Sequence, residues 1–337
     1  MANIYDVARL AGVSTGTVSR YLSGNGYVGE ISRGRIQKAI TELNFSPSRI
    51  ARGLTKKHTQ MIGLVVSDLL NPFIPELVRG AQDCADEAGH CTLIYNTDGK
   101  GAREVRALNL LYERRVDGLI ITAPETVEGN QCILDLHKRG LPIVLIGRKL
   151  ATEDIDYVTT DTYSGAIEAV MHLAQLGHRR IAFIEGDAAH DVASDQQRGY
   201  LDGLKQAELT YQEHLLVATT LTREGGAAAM IQLLHLPTPP TSVFAVNDIV
   251  AVGAMQEALR LGYRVPEQLS IVGFDDITLA ANTLPAMTTV RQPKSLLGRT
   301  AVELLLDRID QYEDGTGREL QLPCALIVRE STMHPLI

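Results

Sequence analysis

The 337-residue sequence predicts an α/β protein, a small three-helix head followed by two doubly wound parallel lobes. Three observations carry this. Near the N-terminus two short helical patterns flank a glycine turn. Residues 1–60 hold nine Lys or Arg against three acids, a net +6, which leaves −14 for the rest of the chain. From residue 61 onward, short continuous apolar runs alternate with helical stretches, as expected of parallel sheets covered on both faces.

In the head, Ile4–Ala11 is amphipathic, Gly12 turns the chain, and Ser14 stands where a helix N-cap is needed. In the helix from Thr15 to Leu22, Val18 and Leu22 lie four apart and face a core, while Thr15, Gly16, Thr17 and Arg20 face outward. A helix, a tight turn and a helix with a polar N-terminal face describe a helix-turn-helix DNA reader. The basic head on an acidic body fits one phosphate-binding module on a soluble platform.

In the body, residues 62–66, 92–95, 117–121, 142–146, 180–184, 242–246 and 269–273 read as buried strands. Helices run from about Phe73 to Ala88 and from about Ala102 to Arg114. About 275 residues exceed one such layer system, so two lobes with a cleft between them are expected. The loops after the strands are polar: Asp68 to Phe73, Asn96-Thr97-Asp98, Gly147-Arg148, Asp161, Gly186 to Gln196, Asn247-Asp248 and Asp275-Asp276. Open parallel sheets bind ligands at these ends. The same residue types also cap helices, and Asp248 and Asp276 suit that role equally.

No apolar run approaches the ~18 residues of a membrane span, and no basic-then-apolar leader precedes the head. Cys84, Cys91, Cys132 and Cys324 lack metal-ligand spacing and read as small hydrophobes in a reducing compartment. A cytoplasmic protein without metal, cofactor or membrane partner is expected. No Gly-x-Gly-x-x-Gly follows a strand, no Gly-x-x-x-x-Gly-Lys-Ser/Thr occurs, and His190 beside Asp191 has no evident nucleophile, so an enzyme is not expected. A periplasmic transport receptor would need a leader and no basic head.

The run Val13-Ser14-x-x-Thr17-Val18-Ser19-Arg20, then Ser46-Pro47-x-x-x-Ala51-Arg52-x-Leu54, resembles the lactose-repressor family of bacterial transcription regulators. So do Arg115-Val116-Asp117-Gly118-Leu119-Ile120, Leu176-Gly177-His178-Arg179-Arg180-Ile181, Asn247-Asp248-x-x-Ala251-x-Gly253-Ala254, Gly273-Phe274-Asp275-Asp276 and Leu284-Pro285-Ala286-Met287-Thr288-Thr289-Val290-x-Gln292-Pro293, in the family's order over about residues 3–331.

The resemblance implies a head over 1–46, a hinge helix and linker over 47–60, and a body over 61–337 of periplasmic-binding-protein type. Lobe 1 would span about 61–160 and 291–320, and lobe 2 about 161–290 and 321–337. It implies a homodimer on a near-palindromic operator, with the second helix in the major groove and Thr15 and Gly16 at the positions that vary with operator sequence. Thr15 offers one hydroxyl and a methyl, and Gly16 no side chain. Arg20 would grip a base or a phosphate, and Ser14, Thr17 and Ser19 would cap and position. Tyr21, where relatives usually carry a small aliphatic residue, would lean on the DNA backbone or pack. Arg49 to Leu54 resembles the hinge helix, too short to be helical alone. It would pair with its twin in the minor groove, with Arg49 and Arg52 among its DNA contacts and Leu54 wedged between base steps.

For the body, the resemblance implies a small effector in the cleft, a sugar or sugar derivative, with a purine or nucleoside as the second reading. Phe73 would stack on the ligand ring and Asp275 accept its hydrogen bonds, while Asn247, Asp161, Arg148, His190 and Val192 line the cleft. Gln196 stands where the family usually has a ligand-binding arginine, which disfavours a carboxylate-bearing ligand. Lobe closure about segments near 160, 290 and 320 would change hinge spacing and hence operator affinity.

Overall fold

The computed structural model describes residues 2–23, 26–45, 58–122, 126–150, 152, 154–186, 191–311 and 315–335. The chain divides into two units, residues 1–61 with 115–117, and the remainder.

Among the described residues, the first unit is built on three helices, α1 (Ile4–Ala11), α2 (Thr15–Ser23) and α3 (Glu30–Glu42). Asn3 caps α1, its side chain accepting from the Tyr5 and Asp6 N–H groups, while the Asp6 carboxylate accepts from Asn3 N–H in a reciprocal capping box. Gly12, at φ 67°, ends α1 in the left-handed region that glycine adopts without a Cβ clash. Val7, Val18 and Ile36 are fully buried where the three helices meet. Leu22 packs half-buried against that core, as the four-residue spacing requires. Where the chain leaves this unit, Thr59 and Gln60 N–H both donate to the Asp117 carboxylate, each at 2.7 Å.

The second unit contains two six-stranded sheets. Sheet 1 runs β11 (Glu319–Leu322), β5 (Asp156–Thr160), β4 (Ile143–Ile146), β3 (Gly118–Thr122), β1 (Met61–Val66), β2 (Cys91–Asn96). Sheet 2 runs β12 (Ala325–Ile327), β10 (Thr288–Arg291), β9 (Ser270–Asp275), β8 (Ser242–Ala245), β6 (Ile181–Gly186), β7 (Leu216–Thr219). The pairs β1–β3, β3–β4, β4–β5, β8–β9 and β6–β8 are parallel, and β12 returns antiparallel to β10. The central strands are mainly apolar because both faces are covered; β4 and β8 are buried at every residue.

The covering helices are α4 (Phe73–Glu87), α5 (Gly101–Glu113) and α6 (Val127–Lys138), then α7 (Thr162–Gln175), α8 (Asp191–Gln206), α9 (Arg223–Leu234), α10 (Asp248–Arg260), α11 (Thr278–Ala281) and α12 (Lys294–Gln311). The chain passes between the sheets three times. It leaves β5 for α7, leaves β10 for α12, and steps from β11 to β12. Three helix seams bring backbones together, and at the one between α7 and α8 a Cβ on Gly199 would lie 2.4 Å from the Tyr163 carbonyl oxygen. A Cβ on Gly80 of α4 would lie 2.0 Å from the Ser295 carbonyl oxygen, and one on Gly298 of α12 would lie 2.1 Å from that of Leu77. Gly226 and Gly253 do the same between α9 and α10, at 2.1 Å from Val250 O and 2.0 Å from Arg223 O.

The chain's last segment is fastened to sheet 2 by His178. Its Nδ1 meets Thr241 Oγ1 at 2.9 Å, and its Nε2 meets Ser270 Oγ and the Met333 carbonyl at 3.0 Å each. Burial pushes this imidazole from an ordinary 6.5 down to about 4. Between those values the unfolded chain binds a proton that the folded chain does not. The stability from this group is therefore full above pH 6.5 and drains away as pH falls toward 4. The shift corresponds to about 3 kcal/mol. Buried Asp248 titrates with the opposite sign, so a difference is the informative quantity. Urea melts from pH 7 to 4 should fall more steeply for the wild type than for His178→Gln. Parallel curves would exclude His178 as the cause.

Candidate nucleic-acid interface and effector site

In the first unit Ser14 closes the N-terminus of α2. Its hydroxyl accepts from Thr17 N–H at 3.2 Å and shares a hydrogen bond with Thr17 Oγ1 at 2.9 Å. Capping thus holds Ser14 and half-buried Thr17, whereas Gly16, Ser19 and Arg20 are exposed and Thr15 is half-exposed. Arg20 Nε returns to the Gly16 carbonyl at 3.3 Å. A Cβ on Gly16 would meet nothing closer than Ser14 Oγ at 3.8 Å, so packing does not demand glycine there. The face is simply bare, and a surface can approach the helix closely. Tyr21 turns inward: its hydroxyl donates to Gln37 of α3 and its ring packs on the helical core. Arg49, Arg52 and Leu54 lie outside the described residues, as does His190; Val192 is placed only as part of α8.

The effector candidates in sheet 2 are set by neighbouring strand ends. Tyr200 is fully buried, stacked on Phe183 with ring centroids 5.2 Å apart, and its hydroxyl donates to Ile181 O at 2.9 Å. That fixes α8 on the sheet. Gln196, one turn earlier on the same face, thereby reaches the end of β8, where its Nε2 donates to the Val246 carbonyl at 3.1 Å. The next residue, Asn247, caps α10 by accepting from Val250 N–H at 2.8 Å. Asp248 is therefore not the cap. It is fully buried, accepting from Thr289 Oγ1 at 2.6 Å and Ile277 N–H at 2.8 Å, and burial raises it to about 7. Nor does Asp276 cap a helix, being paired with Arg291 and Arg329.

Asp275 ends β9, buried, with φ at 104°. Holding a non-glycine residue there is a strain that the surroundings must impose. Its Oδ1 accepts from Gln292 Nε2 at 2.6 Å. Burial first, and Asp248 second, push the carboxyl well above the usual carboxylate range, against the pull of Gln292 and Lys294. Lys294 Nζ donates to the carbonyls of Asp275 and Asp276 at 2.7 and 2.8 Å. Gln292 also accepts from Thr160 Oγ1, so a continuous chain Thr160–Gln292–Asp275 joins the end of β5 to the end of β9. Asp161 follows Thr160 and caps α7, accepting from Ser164 N–H at 3.0 Å.

Gln196, Asn247, Asp275 and Asp161 thus lie at strand ends of sheet 2 or at its first crossing. Phe73 and Arg148 belong to the other lobe. Phe73 begins α4, half-buried on the core of sheet 1. Arg148 is 4% exposed and donates to Glu104 at 2.7 Å, and Glu104 also accepts from Thr126 Oγ1. This ion pair explains the bare Gly129, whose Cβ would fall 2.0 Å from the Glu104 carboxylate. Sequence reasoning assigned no role to Gln292 or Lys294. The signal was present, a glutamine directly before Pro293 where a buried strand ends. Among the described residues no cluster of His, Cys, Asp and Glu could hold a metal ion, and no helix is long and apolar enough to cross a membrane.

Comparison with known proteins agrees with both units. Residues 3–48 match the model for bacterial regulatory proteins of the lacI family, and residues 170–332 match a periplasmic binding protein-like domain. The crystal structure of the lac repressor dimer bound to operator and the anti-inducer ONPF is similar at TM-score 0.88 and 28% identity, over 98% of this chain and 99% of that one. The complex of the transcriptional regulator CelR with cellobiose is similar at TM-score 0.75 and 33% identity, over 98% and 100%. The ribose operon repressor of Escherichia coli (strain K12) is 37% identical over 311 residues, 92% of this chain and 94% of the relative. On that identity and coverage, with both units in the same order, this chain belongs to the lacI family of bacterial regulatory proteins.

Proposed function

We propose that this protein represses transcription by binding a near-palindromic operator as a cytoplasmic homodimer, and that a sugar or sugar derivative held between the lobes controls its grip. The carrying observation is the union of a capped α2 with an outward polar face and a second unit whose strand ends gather buried polar groups around a strained Asp275. α2 enters the major groove. Thr15 contributes a methyl and a hydroxyl, Gly16 permits close approach, and Arg20 holds a phosphate or a guanine edge. Asp275, Asn247 and Asp161 receive hydroxyl donors, and Phe73 offers a ring face. The relatives' ribose and cellobiose support the sugar class. The protein acts by binding, without a catalytic centre.

The Thr160–Gln292–Asp275 chain gives the ligand a way to influence lobe orientation, because the residue that would accept from it is bonded to a crossing segment. A thermal-shift screen against sugars, polyols and nucleosides tests the reading. A true effector at ~100 times its dissociation constant adds about 2.7 kcal/mol to stability. In Asp275→Ala that shift should vanish. Its survival would place the ligand away from the end of β9.

A further inference from the structure

We propose that Gln196 is a hydrogen-bond acceptor reserved for the effector, so that the ligand must present a donor hydrogen at the end of β8, and that the site favours neutral or cationic donor-rich ligands over anionic ones. This rests on the reading of the strand ends as the effector site and adds the polarity that the site demands.

The argument starts from the amide. Gln196 is 2% exposed, and its Nε2 is engaged with Val246 O. Its Oε1 is buried and has no hydrogen-bond partner among the described residues. Exchanging the two ends of the amide would set oxygen against the Val246 carbonyl, so the hydrogen-bond network fixes the orientation. A buried acceptor without a donor is unfavourable, and most native ones are satisfied. A donor arriving with a ligand removes the deficit. An acceptor arriving there meets oxygen lone pairs in a site withdrawn from water, where the mismatch is felt at full strength. An arginine at this position would present donors only. Gln196, with its amide hydrogen on Val246, presents the reverse.

The surroundings point the same way. Asp275 and Asp161 are acceptors at the neighbouring strand end and crossing. The cations at these strand ends are engaged with protein oxygens, Lys294 with the carbonyls of Asp275 and Asp276 and Arg291 and Arg329 with Asp276, and Arg148 of the other lobe is paired with Glu104. A phosphate or carboxylate placed here would face carbonyl and carboxyl oxygens, whereas hydroxyl or amino hydrogens would face matching partners.

Calorimetry on the full chain tests this. D-ribose, D-galactose, cellobiose and D-glucosamine serve as donor-rich probes, and D-gluconate and D-ribose 5-phosphate as anionic ones. Each probe that binds is compared with its monodeoxyfluoro analogues, in which one donor hydroxyl becomes fluorine. One analogue should bind the wild type about tenfold or more weaker. That penalty should shrink to about twofold or less in Gln196→Met, which has no oxygen acceptor, and persist in Gln196→Glu, which keeps one. Equal penalties in the wild type and Gln196→Met at every position would overturn the proposal, as would tighter binding of the anionic probes by the wild type. A response to nucleosides alone would sink the sugar class and leave the polarity rule to adenosine against purine riboside, where the amino group is replaced by hydrogen. The rule expects adenosine about tenfold tighter, and purine riboside binding equally or better would overturn it.

Discussion

Operator affinity of the full chain should fall about a thousandfold or more as salt rises from about 50 to about 200 mM. A protein that neutralises phosphates releases their condensed counterions, and the loss follows a power law in salt with one factor per contact. Arg20, Arg33, Arg35 and Lys38 are exposed in the described part of the head, and five more Lys or Arg fall within residues 1–60. Two such heads on one operator can supply the ~6–10 phosphate contacts that this steepness needs. The net −14 of the remaining residues should disfavour DNA contact outside the heads. Fluorescence anisotropy on a symmetric duplex, repeated at several salt concentrations, gives the slope. Affinity that changes by less than about tenfold over that range would remove the phosphate-gripping head from the account.

Asp156→Ala should lower the stability of the second unit by about 3 kcal/mol. Asp156 is fully buried at the start of β5 and receives Arg308 from α12 at 2.8 Å and Arg318, just before β11, at 2.7 Å. The Arg318 N–H adds a third donor at 2.8 Å. Burial alone would raise this carboxyl. The two guanidiniums and the backbone N–H overcome it and hold the group below its ordinary 3.8. A depressed carboxylate stabilises the fold above the unfolded value and loses that contribution as pH falls through the folded one. The deficit of Asp156→Ala should therefore be full at neutral pH and shrink in acid. Both arginines keep some access to water, which limits the loss to the lower part of the range for a broken buried pair. A melting temperature lower by about 6–12 °C is the corresponding reading for a unit of this size. A change within about 0.5 kcal/mol would mean that water substitutes for the carboxylate at no cost.

The parts of the fold that were legible are those where burial is one-sided or complete. The runs at 62–66 and 242–246 became β1 and β8 to within a residue at each end, as continuous apolar runs covered on both faces do, while the run at 92–95 became β2, an edge strand that is half-buried and not buried as expected. The helix expected from Phe73 is α4. The strands not read from the sequence were β5, alternating buried and half-buried through Asp-Tyr-Val-Thr-Thr, the short β7, β10 and β12, and β11, mostly exposed at a sheet edge. Their pairing is decided by the neighbouring strand and not by their own composition.

The candidate site was legible in part for a related reason. Strand-end polar residues stand out in sequence, but which ones cap, which pair and which remain open depends on register. Asn247 and Asp248 are adjacent and chemically alike, yet one caps a helix and the other is sealed against Thr289. Arg148 read as a ligand residue, and its ion pair with Glu104 joins residues 44 apart that no local pattern connects.

The glycine seams between α4 and α12, α7 and α8, and α9 and α10 have a mechanical meaning. With carbonyls lying where a methyl group would otherwise be, these helix pairs can neither slide nor tilt without collision. If the proposed lobe movement occurs, each lobe would move as a hard plate, with compliance left to the three crossings after Thr160, around Gln292 and around Cys324. Damage to a seam should cost the plate its integrity, while damage to a crossing should spare the plate and alter its travel. Gln292, bonded to Thr160 at one crossing and to Asp275 at the end of β9, takes part in both.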